Sequence, residues 1–96
     1  MSEAGEVSEE LTVDNEHGLH LRPAADFVRL AARYGARVEV ANLTRGGGRR
    51  ANARSLLEIT ALGIDQGHLI RLTASGPDAE EAVQALSRLI RSNFAG

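Results

Sequence analysis

Apolar positions along the chain change their period several times, and each change marks a boundary between elements. Glu10-Leu11-Thr12-Val13-Asp14 alternates polar and apolar, the period of a half-buried strand. Residues 1–9 ahead of it are expected to be a flexible acidic lead-in, and 10–94 a single domain. Glu16-His17-Gly18 breaks the alternation. Beyond Arg22-Pro23, Phe27, Leu30, Ala31 and Tyr34 fall at i, i+3, i+4 and i+7, one face of a helix. Gly35 is expected to end that helix. Arg37-Val38-Glu39-Val40 alternates again, and residues 42–50, with three consecutive glycines, predict a wide loop. A short third strand is expected around residues 50–53. Ser55-Leu56-Leu57-Glu58 has the spacing of a capping box that opens a short helix, closed by Gly63. Residues 68–74 give a fourth strand with Ile70, Leu72 and Ala74 on one face. Gly76-Pro77-Asp78 turns into a last helix with an inner stripe of Ala82, Val83, Leu86, Leu89 and Ile90. The order is β-α-β-β-α-β-α. Strands with one polar face, alternating with amphipathic helices, predict an α+β fold whose antiparallel sheet is covered on one side.

Length and composition narrow the chemistry this fold can carry. A chain of 96 residues forms one domain with a modest core, so its chemistry belongs near the surface. The absence of cysteine removes disulfides, thiolate metal sites and thiol catalysis. The absence of lysine removes Schiff bases. No apolar run approaches the ~18 residues of a membrane span, and the acidic start lacks the regions of a signal peptide. A cytoplasmic protein without membrane insertion is expected. Net charge is -2, but eight of the 11 arginines lie between Arg22 and Arg54, against only Asp26 and Glu39. The acids gather near the two ends. A basic face on an acidic protein suits an anionic ligand or an acidic partner, or else is simply a solvated surface.

The segment Gly18-Leu19-His20-Leu21-Arg22-Pro23-Ala24-Ala25 carries the most specific chemistry. Proline is favoured in a first helical turn, where its missing N–H has no intrahelical partner. His20 therefore stands at or just before a helix start, facing free N–H groups and the positive end of the helix dipole. Such a place favours an anion and a neutral imidazole, which is the form a nucleophile needs. Arg22 offers a planar fork of donors to phosphate oxygens. Gly18 lets the backbone turn tightly ahead of the histidine. The same residues also fit a simple helix cap with a surface arginine beside it.

The run from Gly18 to Ala24 resembles the signature of the HPr phosphocarrier family: glycine-leucine-histidine, a variable residue, then arginine-proline-alanine. The likeness continues through Ala53-Arg54-Ser55-Leu56-Leu57, Ala61-Leu62-Gly63-Ile64, Gln66-Gly67 and Gly76, and spans residues 10–91. The resemblance implies an open-faced sandwich, a four-stranded antiparallel sheet with three helices on one face. It implies phosphoryl acceptance on Nδ1 of His20 from phosphoenolpyruvate-charged Enzyme I, and delivery to IIA-type components of a sugar phosphotransferase system. Arg22 would steady the phosphoryl group. Ser55 matches a serine that a dedicated kinase modifies in some bacteria, although with Glu58 it already makes sense as a cap. Leu21, Leu56 and Leu57 match the docking face, with one of the last two expected in the core. The implied protein is a monomeric carrier rather than an enzyme, with no cofactor and no metal.

Four features depart from the family pattern: Leu21 in place of a small residue or threonine, His17, Glu58, and the arginine- and glycine-rich loop 42–50. They bear on partner choice rather than on the fold. A metal site built on Glu16, His17 and His20 matches no zinc spacing. Gly46-Gly47-Gly48 lacks the lysine of a phosphate loop. Nucleic-acid binding is the rival from another class, supported by the arginines. It is opposed by the scarcity of aromatics, only Phe27, Tyr34 and Phe94, so no nucleic-acid partner is expected. A small regulatory domain that binds without chemistry is the third reading.

Overall fold

Alternation along four short segments produces a sheet with one apolar and one polar face. The computed structural model describes residues 6–94. Its strands are β1 (Val7–Thr12), β2 (Arg37–Asn42), β3 (Arg50–Asn52) and β4 (Leu69–Ser75). Its helices are α1 (Leu21–Ala31), α2 (Leu56–Ala61) and α3 (Ala79–Arg91), with a 3-10 turn at Leu43–Arg45. The sheet order is β1-β4-β2-β3, and all neighbours are antiparallel. Leu11, Val38, Val40, Ala51, Ile70, Leu72 and Ala74 supply its inner face. Against them lie Ala24, Phe27 and Ala31 of α1, Ile59 of α2, and Ala82, Val83, Leu86 and Ile90 of α3. The outer face carries polar neighbours, among them Glu10 opposite Arg71, joined at 2.6 Å.

The first strand begins earlier than the sequence suggests. β1 covers Val7–Thr12 rather than residues 10–14, so part of the expected lead-in is sheet. Val7 pairs with Ala74, and Glu9 with Leu72. Glu9 points to the helical side, where it accepts from Ser87 Oγ at 3.2 Å and from Arg91 at 2.6 Å. Its acidity hid an inward position, because the edge of the sheet lets a carboxylate reach α3. The lead-in expected at residues 1–5 lies outside the described residues.

Helix ends also differ in detail. α1 stops at Ala31, four residues before Gly35, through tight bonds from Arg33 N to Leu30 O and from Tyr34 N to Ala31 O. Tyr34 thus lies beyond the helix, half-buried against the core. Gly35 and Ala36 instead donate to the carboxylate of Asp78 at 2.9 and 2.7 Å, tying this turn to the start of α3. Only half of the capping box forms on α2. Ser55 Oγ accepts from Glu58 N at 3.2 Å, but Glu58 Oε1 accepts from Asn52 N at 2.8 Å. The N–H of Ser55 is already taken by Asn52 O, which leaves the glutamate free to brace β3. Loop 42–50 is shortened by Asn42, which extends β2, and by the 3-10 turn after it.

Candidate functional site

Turns before α1 bring its first residues against the loop that follows α2. Gly18 N donates to Asn15 O at 3.1 Å, and His20 N to His17 O at 3.2 Å. Leu19 is buried and donates to Ile64 O at 2.9 Å, joining the two loops. At Gly18, with φ +55°, a Cβ would fall 2.2 Å from Ile64 O and 2.7 Å from Asp65 Cα. Glycine is needed there both for its backbone angle and for the closeness of the other loop.

His20 is the N-cap of α1, with extended backbone and no side-chain capping bond. Its carbonyl accepts from Ala24 N at 2.8 Å. The N–H groups of Leu21 and Arg22, in the first turn, have no partner within the helix and open toward its N-terminal end. The imidazole is 59% exposed, and its Nε2 lies 2.5 Å from Oδ1 of Asp65. An ionised carboxylate only accepts, so Nε2 carries the proton. Nδ1 has no protein partner among the described residues. It is the ring nitrogen that holds an open lone pair at the surface.

Asp65 is itself held in place. Its N–H donates to His68 Nδ1 at 3.0 Å, and its carbonyl accepts from His68 N at 3.1 Å. The amide nitrogen of the buried Asn42 lies 3.1 Å from the same His68 Nδ1 and donates to Leu62 O at 3.3 Å. The hydrogen bond from His20 is the main reason the Asp65 carboxyl sits below the usual carboxylate range, although desolvation opposes it. The charge of Arg45 acts in the same downward direction, as do His20 and His68 when protonated.

The other expected site residues divide. Arg22 is exposed and lines a cleft of about 370 Å³ with Asp14, Glu16, His17 and Asp26. Among the described residues it makes no hydrogen bond and no ion pair, so its guanidinium is not committed elsewhere. Leu21 and Leu57 are 67% and 80% exposed, while Leu56 packs partly against the core. Ser55 is half-buried, with its hydroxyl in the cap of α2. Several arginines of the basic stretch are engaged: Arg29 with Asp26 at 3.0 Å, Arg50 with Glu39 at 3.3 Å, and Arg54 with the carbonyl of Tyr34. Among the described residues no group of three or more metal-ligating side chains converges, and no helix is long and apolar enough to cross a membrane. Sequence reasoning missed Asp65, His68 and Asn42. Asp65 stands 45 residues from His20, and no local pattern joins them.

An exposed imidazole with one nitrogen anchored and the other open, at a helix start on an open-faced α+β sandwich, defines a surface carrier of an anionic group. Comparison with known proteins gives the carrier its family. The family model described as "PTS HPr component phosphorylation site" matches residues 7–92. The multiphosphoryl transfer protein of Salmonella typhimurium is 44% identical over 88 residues, which is 92% of this chain and 23% of that protein. The chain therefore spans less than a quarter of that relative's length. The phosphocarrier protein HPr of Buchnera aphidicola is 40% identical over 74 residues, covering 77% of this chain and 82% of that one. The crystal structure of HPr-C-His from Thermoanaerobacter tengcongensis superposes with a TM-score of 0.85 at 38% identity, covering 92% of this chain and 94% of that one. The chain belongs to the HPr family, the phosphoryl carriers of the phosphotransferase system.

Proposed function

We propose that Nδ1 of His20 accepts a phosphoryl group from phosphoenolpyruvate-charged Enzyme I and gives it up to IIA-type components. The observation that carries this reading is the free Nδ1 of an exposed imidazole whose Nε2 is already occupied by Asp65. Helix-start amides and the uncommitted fork of Arg22 supply donors for the phosphoryl oxygens. Everything this needs comes from one chain, so the carrier acts as a monomer. Cytoplasmic residence goes with partners of this kind. Leu21 and Leu57 give those partners apolar surface on neighbouring helices, with Leu56 contributing its exposed edge. Ser55 offers a kinase a hydroxyl at a helix start, where a phosphate is tolerated electrostatically and adds charge to the docking face.

The test is incubation with phosphoenolpyruvate and Enzyme I, read by intact mass before and after brief acid. The native protein is expected to gain one acid-labile phosphate. His20→Ala is expected to gain none while keeping its stability to within ~0.5 kcal/mol, as for an exposed position. Labile phosphate on His20→Ala would overturn the assignment.

A further inference from the structure

Among the described residues, Asp65 is the one acidic side chain in contact with the histidine, and the fold goes to some length to put it there. Gly18 admits the Ile64–Asp65 backbone to a distance that no side chain would allow, and Leu19 bonds to Ile64 O. His68 Nδ1 accepts from Asp65 N at 3.0 Å and so fixes its backbone from behind, while Asn42 meets that same ring nitrogen at 3.1 Å. The contact at 2.5 Å reaches Nε2, the nitrogen away from the proposed reaction.

We propose that Asp65 is a positioning residue for phosphoryl transfer: it holds the proton on Nε2 of His20 and so presents the Nδ1 lone pair to the incoming phosphoryl group. This rests on His20 being the acceptor. In the step itself, the Nδ1 lone pair forms the N–P bond, and the donor takes back the electron pair of the bond it loses. No proton leaves, because the ring keeps its Nε2–H. The phosphorylated ring therefore becomes a cation, and the Asp65 carboxylate lies against it. On delivery the N–P electron pair returns to Nδ1, and the ring is neutral again. Asp65 thus does two separable things: it orients the ring, and it balances the ring's transient charge.

The charged groups around the pair are known. His68 before β4 and Arg45 of the 3-10 turn lie near Asp65; Arg45 helps keep it ionised, and His68 does so when protonated. On the other side of the turn, Asp14, Glu16, His17, Arg22 and Asp26 line the neighbouring cleft. His20 and Asp65 are 59% and 54% exposed, so water screens the pair, and its effect on rate is modest.

Two variants separate the two roles. Asp65→Asn keeps an acceptor for Nε2–H but loses the charge; Asp65→Ala loses both. Ring nitrogen and proton spectra of histidine-labelled, unphosphorylated protein are expected to show His20 protonated at Nε2 in the native chain and in Asp65→Asn. In Asp65→Ala both nitrogens share the proton, and it exchanges faster with water. Phosphoryl acceptance is expected to fall about two- to fivefold in Asp65→Asn, and at least as far in Asp65→Ala, with KM for Enzyme I unchanged. Identical ring spectra in native and Asp65→Ala protein, or acceptance unaltered in both variants, would overturn the proposal. Asp65→Asn, nearly isosteric, keeps the test valid if Asp65→Ala folds poorly. The ring spectra require no phosphoryl transfer, so they stand apart from the fate of His20 as acceptor.

Discussion

Two residues, one in the turn before α1 and one in its first turn, illustrate how much a single position can decide. Gly18 lies where a methyl group would strike the Ile64 carbonyl, on a backbone angle that other residues reach only with strain. Gly18→Ala is expected to cost about 2 kcal/mol or more, measured by urea unfolding, and to separate His20 from Asp65. Loss of the Nε2 contact without loss of stability would mean that the two loops adjust more freely than their packing indicates. Arg22, by contrast, is free of structural duty. Arg22→Ala is expected to leave unfolding unchanged and slow phosphoryl acceptance roughly tenfold, the effect of one charge-assisted hydrogen bond. Residual transfer is expected because the helix-start amides remain. The place of His20 at a helix start was legible because first-turn prolines are local grammar, while the roles expected of His20 and Arg22 came from the family resemblance. Asp65 was not legible, because a pairing made by two loops 45 residues apart leaves no trace in either loop alone.

Among elements, α2 shows how a short helix survives. Six residues are too few to be stable alone, so Ser55 and the burial of Ile59 hold it. Ser55→Ala is expected to cost about 1 kcal/mol in thermal or urea unfolding. α1 and α3 were readable because their buried stripes repeat at helical spacing, and α2 because Ser55 marks its start. Boundaries were less so. Gly35 looked like a helix terminator, but the chain turns at Ala32 by itself, and Gly35 is used to meet Asp78. The start of β1 was hidden by Glu9, an acid facing inward where Ser87 and Arg91 wait. Glu58 followed the capping pattern in spacing but turned to Asn52, a neighbour that only the folded sheet supplies. Local pattern thus gives the element, and tertiary partners decide its ends.

On the scale of the whole molecule, a helical layer covers one side of the sheet and presents the histidine, Leu21 and Leu57 to solvent. Leu57, four-fifths exposed, has little share in the core. Leu57→Glu is expected to leave stability within ~0.5 kcal/mol. It should weaken Enzyme I or IIA binding by about tenfold or more, as removal of a well-packed anchor does. Titration calorimetry or the KM for phosphoryl acceptance measures it, and unchanged affinity would place docking elsewhere. The sheet's covered-face architecture was foreseeable from alternation; its strand order was not, since alternation says which face a strand shows and nothing about its neighbours.

That strand order has a consequence for the making of the protein. Among the described residues β1 pairs only with β4, and the loop beneath the histidine comes from residues 64–68, well after it. While the protein is being synthesised, His20 emerges from the ribosome long before Asp65, and β1 waits unpaired until residues 69–75 follow. A chain halted after β3 would hold His20 without the loop that lies beneath it. The site is assembled only once residues 64–75 have followed the histidine, so its floor is laid after the residue it supports.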